Sequence, residues 1–405
     1  MRRKLIIYTA LSLFISLLSC QNKSRPTSVK MSENNEFSDT SCIVFKIKTF
    51  KDLDDLSNLD DLDVIVDKIE YIPLETNSSS LIGSINMMKF YKGKFYILDS
   101  RLAKAVLIFN EDGTHFKTIK NVGNGPAEYI SPQYISIDSF NDELILCDRN
   151  DNGILYYDLD GNFKREENAG FRFSNIERIT KEDFLIFLGA AWNTHKPEID
   201  NYTIAIGTPP DSIKHLGLYQ DEFYRKLDYL SGEYIHVFGD KYFVTSPFLN
   251  EIYQVLPNGK ILPRYRFEFA HGSPELYRTI DNSDIMYFRN EINARNIGHY
   301  IGNELLDTDR YLITNVKHGL FSIYFIYDKK TKNSYLSNHA SKSKKIIAGL
   351  IPDCTNGKVY YTRLPATQIL YHKEYYKEKG YDFPEILNNI TEEDNHVIVK
   401  YTLHE

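Results

Sequence analysis

The 405-residue chain has a single Trp, five Met and four Cys, and no two cysteines stand in CxxC spacing. A dense disulfide framework or a thiolate metal site therefore has no basis in the sequence. Eleven histidines are scattered without ligand spacing, and HExxH, GxSxG and Walker sequences are absent. No metal, cofactor or catalytic residue is assigned on these grounds. Basic residues are in the minority, 48 against 55 acidic ones. That balance argues against nucleic acid as the main partner. What the chain has in quantity is aromatic residues, 30 Tyr and 24 Phe, which suit strand-rich, twisted sheets.

The order behind that composition is a repeat. FYILDSRLAKAVLIFNEDG ends a strand at Asp99 and turns at Gly113; LILCDRNDNGILYYDLDG does so at Asp148 and Gly161, and YFVTSPFLNEIYQVLPNG at Ser246 and Gly259. Asp99 and Asp148 are 49 residues apart, and Asp148 and Ser246 are 98 apart. Such a period is a blade of a β-propeller. Ser246 to Asn315 is 69 residues, an excess that falls on a helical-looking insertion at 274–302, and Asn315 to Thr362 is 47. The expectation is an all-β fold, a six-bladed β-propeller with a helical insertion between blades four and five. A short helix, ATQILYHKEYYKEKG, follows near the C-terminus and is stopped by Gly380. Asp112-Gly113, Asp160-Gly161 and Asn258-Gly259 read as hairpin turns, and Gly123 and Gly125 as positions of positive φ between the first two blades.

The ends of the chain are read separately. Arg2, Arg3 and Lys4 precede an apolar stretch from Leu5 to Leu18 and then Ser19-Cys20, the layout of a secretion signal and too short for a stable membrane span. LLSC resembles a bacterial lipobox, which implies a mature chain beginning with a lipidated Cys20 and held to a membrane by lipid alone. The organisation expected is residues 1–20 signal peptide, 21–41 flexible tether and 42–405 propeller. Cys42, Cys147 and Cys354 read as buried or incidental thiols, with any disulfide among them left open. The first twenty residues hold three of the basic and none of the acidic residues, so the mature chain carries ten more acidic than basic groups. CIVFKIKTF and DKIEYIPLET read as strands before the first blade and HVIVKYTLHE as a strand after the last. One of the latter two should close the ring, since closure removes the exposed sheet edges.

The segment VGNGPAEYISPQYISI, with Gly123, Gly125, Tyr129, Pro132 and Asp138, followed by Asp148 and Gly161, resembles the NHL-type propeller repeat. EYIPLET, GNGPAEY and EEDNHVIVKYTL together resemble the six-bladed β-propeller lipoproteins of Bacteroidota, over roughly residues 45–405. The resemblance implies the fold and an envelope location, an outer-membrane lipoprotein facing either the periplasm or the cell surface. It implies little about activity. Gly153 and Glu251 stand where the NHL pattern has a basic residue, so any function tied to that position is not carried over.

Superposing the blades brings out one positional pattern. Arg101, Arg149, His195, Lys317 with His318, and Arg363 follow the strand-ending position in five blades, and Phe248 stands there in blade four. On an acidic chain this predicts a basic mouth on one face, binding an anionic glycan or an envelope protein, with Trp192 and Phe248 as stacking surfaces. The competing expectation is that these cations pair with neighbouring carboxylates such as Asp99 and Asp148, themselves read as loop-capping acceptors. An enzyme working at the axial mouth, a lyase or hydrolase, is the alternative function, and a scaffold docking a protein through the 274–302 insertion is another.

Overall fold

The structure is a computed structural model. It describes residues 42–47 and 64–405, apart from 190–191, 221, 226–231, 247–249, 271–273, 282, 296, 298, 319–320 and 338–348. The signal, the tether, Cys20 and the acidic stretch at 51–63 lie outside the described residues.

Two strands precede the repeat, β1 (Ile43–Ile47) and β2 (Val66–Pro73). Blade one is β3 (Met87–Tyr91), β4 (Lys94–Asp99), β5 (Ala105–Asn110) and β6 (His115–Ile119). Blade two is β7 (Pro132–Asp138), β8 (Glu143–Asp148), β9 (Gly153–Asp158) and β10 (Phe163–Asn168). Blade three is β11 (Asn175–Arg178), β12 (Phe184–Phe187), β13 (Tyr202–Thr208) and β14 (Ser212–Tyr219). A short helix α1 (Glu222–Arg225) leads to blade four, β15 (Ile235–Phe238), β16 (Lys241–Val244), β17 (Glu251–Val255) and β18 (Ile261–Phe269). The expected insertion follows as α2 (Pro274–Tyr277) and α3 (Ile285–Ala294), before blade five, β19 (His299–Asp307), β20 (Tyr311–His318), β21 (Phe321–Asp328) and β22 (Asn333–Ser337). The last blade contains β23 (Cys354–Asn356), β24 (Val359–Leu364) and, after helix α4 (Ala366–Lys379), β25 (Val397–Leu403).

Neither candidate closes the ring alone. The sixth sheet runs β23-β24-β25-β2, so the N-terminal strand lies antiparallel on the C-terminal one, with Val66 opposite Leu403 and Pro73 opposite Val397. Tyr401 hydroxyl donates to the Leu350 carbonyl inside this blade at 2.8 Å.

Burial follows the layering. The second strands β4, β8 and β12 are almost wholly buried and read as continuous apolar runs, whereas the outermost β10, FKREEN, is exposed. Sheets covered on both faces need apolar residues on both, which is why alternation fails in these inner strands. The core lies between blades: one cluster joins Tyr96 and Ile108 of blade one, Leu144 and Tyr157 of blade two and Ile176 and Phe184 of blade three. Arg178, at the end of β11, pairs with Asp138, at the end of β7, at 2.8 Å with both side chains buried. Gly113, Gly161 and Gly259 turn the expected hairpins with φ of 89°, 75° and 84°.

Antiparallel up-and-down order sorts the connections onto two faces. Links within the first two and within the last two strands of each blade lie on one face and run to at most five residues. Links between the middle strands and between blades lie on the other, reach 32 residues at 365–396 and carry the four α-helices of the described residues. The first strands of successive blades adjoin one another about the axis and begin at this long-loop face.

β1 makes a fifth strand on blade four, parallel to β18, with Ile43 opposite Tyr265 and Ile47 opposite Phe269. Its Phe45 ring sits 5.0 Å from Phe267 and 4.8 Å from Phe325 of blade five, filling the seam between those blades. Phe45→Ala should therefore destabilise the protein by about 3 kcal/mol in urea unfolding. A chain beginning at Leu74 loses β2, exposes the β25 edge and should aggregate or lose its cooperative thermal transition, whereas one beginning at Val64 should keep it at a lower Tm.

Candidate functional site

Of the residues expected to form a basic mouth, Arg101, Arg149, Trp192 and His195 follow the second strand of their blades and Lys317 and Arg363 lie near its end, so topology places them at the long-loop face. They share that face without touching: no hydrogen bond or ion pair joins two of them among the described residues. Phe248 lies outside the described residues, as does the side chain of His318.

Asp99 and Asp148 decide what the neighbouring arginines are free to do. Asp99 Oδ2 accepts from the Gly83 and Ser84 amides at 2.8 and 3.0 Å, and Oδ1 from those of Arg101 and Leu102 at 3.2 and 2.9 Å. Asp148 accepts from the Ile130, Ser131 and Asn150 amides at 2.8, 2.8 and 3.2 Å. Both carboxylates are buried and tie the loop inside a blade to the loop entering it. They are taken up by backbone, and neither pairs with a guanidinium. Arg101 and Arg149 are exposed and have no ion-pair partner among the described residues.

The other positions differ. Lys317 is half-buried on β20. His195 is exposed, its Nε2 2.9 Å from the Gly170 carbonyl oxygen. Trp192 is exposed, but the Arg225 guanidinium lies 4.0 Å over its ring, itself bound to Asp200 at 2.9 Å. Arg363 is committed: its Nε lies 3.6 Å from Asp353 Oδ1, its backbone amide donates to Asp353 Oδ2 at 2.8 Å, and its guanidinium donates to the Ile85 carbonyl. The competing expectation of paired cations thus describes Arg363 and not Arg101 or Arg149.

The GNGPAEY loop also differs from expectation. Gly123 and Gly125 do not have positive φ; Ala127 does, at 62°. The Glu128 carboxylate folds back over Gly123, where a Cβ would displace it, and accepts from the Gly125 amide at 2.7 Å. The loop walls a cleft of about 540 Å³ whose charged lining, Glu128, Asp148, Asp151, Glu166 and Glu167, is acidic.

At the axis, sequence reasoning missed a cluster. Lys89 Nζ on β3 lies 3.1 Å from Glu177 Oε1 on β11 and 3.4 Å from Glu233 Oε1 just before β15. Tyr134 and Ser136 on β7 donate to Glu177 Oε1 and Oε2 at 2.7 and 2.6 Å. Burial works to lower the Lys89 pKa, but the two carboxylates outweigh it and hold the ammonium above its ordinary value. Burial raises Glu233, against Lys89 and with help from Glu177. Burial and then Lys89 push His236 down to about 3, so it is neutral. The one sequence signal was a charge inside an inner apolar strand, and nothing linear joins residues 89, 177 and 233.

Among the described residues, Cys42, Cys147 and Cys354 form no disulfide. Among the described residues no cluster of His, Cys, Asp and Glu could hold a metal ion, and no helix is long and apolar enough to cross a membrane.

If Asp148 is a loop clamp, Asp148→Ala strands three amides and should lower the free energy of unfolding by about 2–3 kcal/mol. Arg149→Ala should leave it unchanged within about 0.5 kcal/mol. Urea midpoints compare the two directly.

The fold has solved relatives. A protein from Bacteroides fragilis NCTC 9343 named "Putative exported protein" superposes with a TM-score of 0.69 at 19% identity, covering 90% of this chain and 100% of its own. A DUF4221 family member from Bacteroides vulgatus is 11% identical, covers 84% of this chain and 97% of its own, and has a TM-score of 0.46. No curated protein matches. Residues 43–402 match a domain of unknown function, DUF4934, and the chain belongs to that family.

Proposed function

We propose that the protein is an exported, lipid-anchored binding module whose long-loop face takes an anionic ligand, an acidic glycan or an acidic patch on an envelope protein. The observation that carries this reading is the state of Arg101 and Arg149: exposed, unpaired among the described residues, and beside carboxylates already occupied by amides. A cation that folding does not neutralise is available to a ligand, and Arg can grip a carboxylate through two hydrogen bonds. The N-terminal sequence supports export and anchoring, as does the name of the Bacteroides fragilis protein of the same fold. A second reading, docking of a protein on the insertion, is favoured by the exposure of Leu276, Met286 and Tyr287.

A chain lacking residues 1–41 should rise in Tm with polygalacturonate or heparin, less at high salt, and not at all as the Arg101→Ala, Arg149→Ala double variant. An equal rise in the variant would remove the arginines from the site. For the anchor, Cys20→Ala should abolish incorporation of radiolabelled palmitate in the producing bacterium and leave the chain uncleaved.

A further inference from the structure

The axial cluster is built for a different ligand chemistry from the arginine-bearing rim. Glu177 is fully engaged, with Tyr134, Ser136 and Lys89 on its two oxygens. Asp353 is matched by Arg363. Glu233 is less well supplied: its Oε1 is screened from solvent and faces the Lys89 ammonium at 3.4 Å, a longer and weaker contact than that of Lys89 with Glu177. The rest of the side chain is reached by solvent, which sees 30% of it and 18% of Lys89.

The backbone around Glu233 is fixed. Asn175 accepts from the Tyr234 amide at 3.0 Å and donates to the Gly232 carbonyl at 3.1 Å, and Asn303 donates to the Glu233 carbonyl at 3.4 Å. Gly232 leaves no room for a side chain, because a Cβ would meet Asn303 Nδ2 at 2.5 Å. A carboxylate on a fixed backbone, with one distant donor, therefore stands beside an ammonium with three N–H groups, of which Glu177 and Glu233 occupy at most two. An anion alone would meet two carboxylates here, and a cation would meet Lys89. A neutral group offering a donor and an acceptor side by side meets neither objection.

We propose that the axial mouth is a carbohydrate site, in which Glu233 accepts a hydrogen bond from one hydroxyl of a vicinal diol and Lys89 donates to the adjacent oxygen. Tyr134 and Ser136 act as positioning residues through Glu177, which holds the ammonium in place. The site does not depend on the rim arginines, so either can fail without the other.

The test uses the chain from residue 42 onward and the methyl glycosides of glucose, galactose and mannose, each followed by saturation-transfer NMR and calorimetry. At least one should bind saturably. Glu233→Ala should weaken it at least about tenfold; Glu233→Gln, which keeps the shape and a weaker acceptor, should weaken it severalfold with Tm unchanged. The Arg101→Ala, Arg149→Ala variant should bind it as the parent does. No saturable binding of any of the three glycosides, or equal binding by both Glu233 variants, overturns the proposal.

Discussion

Ring closure is the constraint from which the rest of the molecule follows. Six sheets arranged about an axis bury their faces against each other only if the first and last are also neighbours, and β2 on β25 makes them so. The register from Val66–Leu403 to Pro73–Val397 joins residues more than 300 positions apart. Once it forms, β23 can stand beside β3 at the axis. Lys89 then finds its partners on blades three and four, and Arg363 reaches the Ile85 carbonyl at the entrance to the adjoining blade one.

This long-range dependence explains what could be read from the sequence. Hairpin glycines, the blade period, the insertion and helix α4 are local or periodic, and each left a mark in a short window of residues. β1 was recognisable as a strand, but its place on blade four was not, because parallel pairing with β18 has no local signature. Gly123 has no positive φ, and what lies over it, the Glu128 carboxylate, leaves no mark in the local sequence pattern. The axial cluster was invisible, since Lys89, Glu177 and Glu233 meet only after three blades are packed.

Within the long-loop face, structural and available charges separate by burial. Asp99 and Asp148 are buried and spent on backbone amides. Replacing them costs stability before it touches any ligand. Arg101 and Arg149 lie in the same loops and, among the described residues, are held only through their backbone amides. The strand-end carboxylates therefore serve the neighbouring cations indirectly, by giving each loop one shape without drawing the guanidinium into it.

The direction of β1 has a geometric consequence. It runs parallel to β18, which climbs from the hairpin face to the long-loop face, so the chain enters β1 from the hairpin side. In a chain held by its N-terminus, the pull of the anchor enters at the lateral edge of blade four. It loads the β1–β18 hydrogen bonds in shear along the strand, the direction in which all of them resist together. A pull from the N-terminal side thus reaches the disc at its flank, on the side of its short turns.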